Sequence, residues 1–180
     1  MTRYALLVRG INVGGKNKVV MAQLRQELTE LGLESVESYI NSGNIFFDSS
    51  KARTLLVESL QGFFGVHYPF IQNFSLLSQK DYEEEFRNLP DWWFQEMARK
   101  DVLFYTEGLH VETVVEKVKT LQLLDEVLHF GKHGIFWGKL SEASYSKTAY
   151  HKHLLKMPFY GNITIRNANT FDKIGHFLKQ

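Results

Sequence analysis

Apolar residues fall into short continuous runs and helical stripes that alternate along the chain. Tyr4 to Val8 is one such run and reads as a buried strand over residues 3–9. From Met21 onward Leu24, Leu28 and Leu31 recur at helical spacing, and Gly32 stands where a helix C′ glycine belongs. Two β-rich runs, Val36 to Ile40 and Ile45 to Phe47, flank Asn41-Ser42-Gly43-Asn44, a composition that predicts a hairpin. A second helix is expected from Lys51 to about Phe64, with Leu55, Leu56, Leu60 and Phe63 on one face, then a strand from Phe70 to Leu77. This β-α-β-β-α-β order is that of a ferredoxin-like α+β fold. With right-handed crossovers the third strand lies between the first two, so residues 9–19, 41–44 and 65–70 should meet at one end of the sheet.

A related α+β order starts again after an acidic helical connector (Gln79 to Phe86) and the segment Pro90-Asp91-Trp92-Trp93. The pattern predicts a strand at Asp101 to Tyr105, a helix at Val111 to Leu121, and a hairpin of Glu126 to Phe130 with Ile135 to Leu140. A helix over Tyr145 to Leu155, a strand over Ile163 to Arg166 and a last helix from Asn169 to Leu178, N-capped by Asn169, complete it. Two α+β subdomains are therefore expected, 1–78 and 101–180, joined by a connector over 79–100. The halves share no residue-by-residue repeat, so any duplication is one of architecture.

With 180 residues, 44% of them apolar, the chain can build its own core, and no cysteine is present to form a disulfide or a thiolate metal site. The short apolar run at the start and the lack of a long apolar segment point to a cytoplasmic protein without membrane contact. Net charge is +1, but unevenly spread. Asp81 to Asp101 carries seven acidic and three basic residues, and Lys147 to the end six basic and one acidic.

The candidate chemistry lies in Arg9-Gly10-Ile11-Asn12-Val13-Gly14-Gly15-Lys16-Asn17-Lys18, just past the first strand. Its glycines permit positive φ or close approach of backbone, and its arginine, lysines and asparagines supply donors and positive charge suited to an anion. It lacks the spacing of both G-x-G-x-x-G and the P-loop. The alternative is a structural loop with solvated lysines. Ser42 and Asn44 belong first to a hairpin turn, yet the topology carries them towards Arg9. Arg166 and Asn167 could face that loop from the other subdomain, or could cap a helix and bridge the halves.

Arg9 to Gly15, Tyr39-Ile40-Asn41-Ser42-Gly43-Asn44 and Thr164-Ile165-Arg166-Asn167-Ala168-Asn169-Thr170 together resemble the bacterial family known as domain of unknown function 1697. Ile165 stands where many relatives have a second threonine. The resemblance implies two α+β subdomains, the first ferredoxin-like, and no established activity.

The reading that follows is a binding protein for a phosphorylated small molecule or nucleotide. Its candidate ligand-binding residues are Arg9, Gly10, Asn12, Gly14, Gly15, Lys16, Ser42, Asn44, Arg166 and Asn167. Two alternatives stay open. The interleaved basic and aromatic run from Tyr145 to Lys156 could contact nucleic acid. An acylphosphatase-like hydrolase shares the strand order, with an asparagine orienting water. No general acid or base stands in the three motifs, so no reaction, catalytic residue or cofactor is assigned. His151 with His153, and His129 with His133, lack partners at metal-ligand spacing.

Overall fold

The apolar runs become eight strands in two four-stranded antiparallel sheets. The structure, a computed structural model, describes every residue from Met1 to Gln180. In the first half β1 (Thr2–Val8), α1 (Met21–Glu30), β2 (Glu34–Tyr39), β3 (Asn44–Ser49), α2 (Arg53–His67) and β4 (Phe74–Ser78) follow the ferredoxin-like order, and α3 (Gln79–Arg87) follows them. The second half comprises β5 (Arg99–Tyr105), α4 (Val111–Lys119), β6 (Glu126–Phe130), β7 (Gly134–Lys139), α5 (Ala149–His153), β8 (Ile163–Asn167) and α6 (Ala168–Leu178). The sheets read β2-β3-β1-β4 and β6-β7-β5-β8, so both halves place their third strand between the first and second.

The duplication extends to single hydrogen bonds. Val8 N donates to Gly43 O at 2.9 Å and Tyr105 N to His133 O at 3.0 Å; Arg9 N donates to Asn73 O at 3.2 Å and Thr106 N to Asn162 O at 3.1 Å. Each pair closes the same corner of its sheet.

The two sheets bury both faces. Tyr4, Leu6 and Val8 pack under α1 and α2, whereas Ala5 and Leu7 turn to a central layer with Phe46 and Leu77. Val102, Phe104 and Phe136 of the second sheet meet them there, joined by Trp93 and by Phe171 and Ile174 of α6. Burial on both sides explains why β1 and β5 are continuous apolar runs with no polar alternation. No helix is long and apolar enough to cross a membrane.

Four elements depart from expectation, each for a local reason. Strand β2 starts at Glu34 because a register shift between Glu34 and Glu37 absorbs Ser35, whose φ is +49°. Strand β4 starts at Phe74, since Tyr68 to Ile71 forms a turn closed by Ile71 N on Tyr68 O at 2.8 Å. The expected helix over 145–155 is α5 flanked by 3-10 turns, Tyr145–Lys147 and Leu154–Lys156. Buried Glu126 marks the start of α5: its carboxylate accepts from the amides of Ala149 and Tyr150, each at 2.9 Å. Helix α6 is capped by Asn167, whose Oδ1 accepts from Thr170 N at 2.9 Å, and Asn169 lies within its first turn.

Helix α3 clamps the β6–β7 hairpin through Glu85, which accepts from the backbone amide of His133, while the His133 ring lies 3.5 Å from Asp81. Burial outweighs Asp81 and Glu84 and holds the His133 pKa below its ordinary value; Lys132 and Arg53 act in the same direction as burial. The folded state thus binds fewer protons than the unfolded chain just below pH 6.5, and this contribution to stability is lost as pH falls through that window. Glu85, raised by burial, acts in the opposite sense. Subtraction against His133→Gln isolates the histidine: wild type should gain thermal stability over the variant as pH is raised from about 5 to about 7.

A second test concerns the β2–β3 turn. A Cβ on Gly43 would stand 3.0 Å from Val8 Cβ at a φ of +88°. Gly43→Ala should lose about 1–3 kcal/mol, read as a lower urea midpoint at unchanged slope.

Candidate functional site

The loop after β1 folds back on itself as a small hairpin. Asn12 N donates to Asn17 O and Lys16 N to Val13 O, each at 3.0 Å, and the turn carries positive φ at Gly14 (+56°) and Gly15 (+75°). These two glycines therefore serve the turn, and with Lys16 they stand in solvent at its tip. Asn12 braces the base of the loop. Its Nδ2 donates to Val19 O at 3.1 Å and Asn41 O at 2.9 Å, and its Oδ1 accepts from Val19 N at 2.8 Å. That contact joins the loop to the β2–β3 hairpin, while Asn73, just beyond residues 65–70, accepts the amide of Arg9.

Arg166 enters from β8 and ties this corner to the second half. Its Nε donates to Asn44 Oδ1 at 2.6 Å and its Nη1 to Thr164 Oγ1 and Ile165 O, both at 2.8 Å. Nη2 reaches Val8 O at 2.9 Å, Ser42 O at 3.1 Å and Gly43 O at 3.3 Å. All five N–H groups of the guanidinium are thereby engaged. Burial pushes its pKa down to about 10, which leaves it charged at neutral pH, and it forms no ion pair with a carboxylate. Asn44 is fully buried and equally committed, since its Nδ2 donates to Tyr39 O at 3.1 Å and Ser42 Oγ at 3.0 Å.

Arg9 differs. Its Nε donates to Ile163 O at 2.9 Å and Nη2 to Tyr160 O at 3.1 Å, and its guanidinium carbon lies 5.2 Å from the Tyr160 ring centre. Nη1 has no partner within the chain, nor do the backbone amides of Gly10 and Ile11. Together they border a cleft of about 380 Å³ between β1 and β8, with Ser42 on its rim and no carboxylate or histidine in its lining.

The corresponding corner of the second half is closed by the chain itself. Thr106 and Glu107 follow β5 as Arg9 and Gly10 follow β1. There Glu107 N donates to Phe74 O at 2.9 Å, and the Glu107 carboxylate pairs with Arg53 at 2.5 Å.

Arg9, Gly10, Ser42 and Arg166 thus share one cleft, with Asn44 and Asn12 supporting its walls from behind. Gly14, Gly15 and Lys16 are exposed and lie outside its lining. Asn167 sits at the far end of β8, paired across the sheet with Asp101 and occupied in capping α6. Tyr160 and Ile163 each accept from Arg9 through a backbone carbonyl, for which no residue type is diagnostic in sequence.

The family model for proteins of unknown function, DUF1697, matches residues 1–136. The chain belongs to DUF1697. A solved structure, that of the conserved bacterial protein SP0830 from Streptococcus pneumoniae, is 73% identical over 98% of both chains, with a TM-score of 0.97. No curated protein matches. DUF1697 membership carries no activity with it.

Removing the Arg166 side chain would leave the buried Asn44 Oδ1 and the part-buried Ser42 O without their donor, and Val8 O with only Thr164 Oγ1 at 3.4 Å. Arg166→Ala in this DUF1697 protein should therefore cost at least about 3 kcal/mol in chemical denaturation. Arg166→Lys should recover only a small part, because an ammonium cannot reproduce the planar fork.

Proposed function

We propose that the cleft between β1 and β8 binds a small anion, and that the protein serves as a binding module for a phosphorylated small molecule or nucleotide. One observation carries the reading: the unpartnered edge of Arg9 stands beside two unpartnered backbone amides in a cleft without a carboxylate. Successive amides at a positive-φ turn concentrate positive potential, and Gly10 has a φ of +74°. Arg166 adds a second positive charge that no acidic side chain offsets. The contrast with the other half supports the same reading, since there the cation Arg53 already has its anion in Glu107.

The two other readings have less support. A hydrolase of the acylphosphatase kind needs an asparagine free to orient water, and Asn44 has neither amide hydrogen available. For nucleic acid, Lys147, Lys152 and Lys156 are exposed, but the aromatic faces nearby are covered: Arg99 lies 3.8 Å over Tyr145 and Lys139 3.4 Å over Tyr150.

The test is a thermal-shift titration with inorganic phosphate and nucleoside monophosphates on wild type and Arg9→Ala. Wild type should be stabilised by at least one of them in a concentration-dependent way, and Arg9→Ala should lose about tenfold or more in affinity while keeping its fold. Equal stabilisation of both proteins would remove Arg9 from the site.

A further inference from the structure

We infer that the ligand carries a single phosphate on a small apolar or aromatic body, and that polyphosphates and sugar phosphates fit the cleft less well. This rests on the anion reading above and narrows it. The positive, unpartnered donors are confined to one corner: Arg9 Nη1 and the amides of Gly10 and Ile11. Arg166 gives charge but no free hydrogen, because all its N–H groups are taken up within the fold. One phosphate fills these donors, and the lining offers a second only the neutral Ser42 hydroxyl.

Beyond that corner the wall changes character. Val13 and the ring of Tyr160, beside Arg9, border the rest of the cleft, while Ile11 and Ile163, with side chains buried in the cores, and Ile165, packed against the second of those cores, complete its lining. Val13 is two-thirds exposed on this rim, so a ligand body that covers it removes apolar surface from water. Specific recognition of a sugar or a base edge would call for free side-chain amides or carboxylates. The lining has no carboxylate, and the nearby amides of Asn12 and Asn44 are held in the fold.

Calorimetric titration with phenyl phosphate, inorganic phosphate and ribose 5-phosphate tests the inference. Phenyl phosphate should bind about tenfold or more tightly than either of the others, the gain expected from covering one ring. Val13→Ser, at an exposed position, should reduce that ratio to about threefold while leaving the affinity for inorganic phosphate unchanged. Arg9→Ala should weaken phenyl phosphate and inorganic phosphate together. Equal binding of phenyl phosphate and ribose 5-phosphate overturns the apolar-body inference and leaves the anion reading standing. Failure of every phosphate to bind overturns both.

Discussion

A buried guanidinium holds this molecule's two halves in register. Arg166 belongs to the last strand, yet the oxygens it satisfies include the end of the first strand and the turn between the second and third. A carboxylate partner would have neutralised it at one point. Carbonyl, amide and hydroxyl oxygens instead surround it on all sides, so its geometry is set by six acceptors at once. The corner of the first sheet cannot move without breaking several charge-assisted bonds.

The second half solves the same problem with the opposite charge. Where Arg166 donates to the carbonyls of the β2–β3 turn, Glu85 of α3 accepts from an amide of the β6–β7 turn. Both anchors come from outside the βαββαβ unit whose turn they hold or from its far edge. The duplicated scaffold is therefore stitched by two different devices, and the halves have diverged in chemistry where they agree in hydrogen-bond topology.

Much of the fold was legible because it rests on local signals. The apolar runs of β1 and β5, the leucine stripes of α1 and α2 and the turn residues around Gly43 each declare their element. The nearness of Arg9 to the β2–β3 hairpin follows from strand order alone. What could not be read depends on distant partners: the break at Ala149 is imposed by Glu126, which is 23 residues away. Arg166 reads in sequence as a possible ligand group because a lone arginine near the end of a strand gives no sign of which oxygens will surround it. The same holds for Asn12 and Asn44, whose amides look available in sequence and are consumed in three dimensions, the first by backbone and the second by Tyr39 O and the side chains of Ser42 and Arg166. Gly14 and Gly15 permitted either an anion cradle or a turn, and only the Val13 to Lys16 closure decides between them.

The cleft has one wall from each half, β1 with its loop and β8 with Tyr160. Neither half lines the cleft by itself, so the binding of a molecule there would be linked to the docking of the two sheets. Any molecule that occupies the cleft must draw the halves together by the same free energy with which their association improves its own binding. Occupancy would thus be felt as cooperativity of the whole chain, including elements such as α4 that lie on the far side of the second sheet.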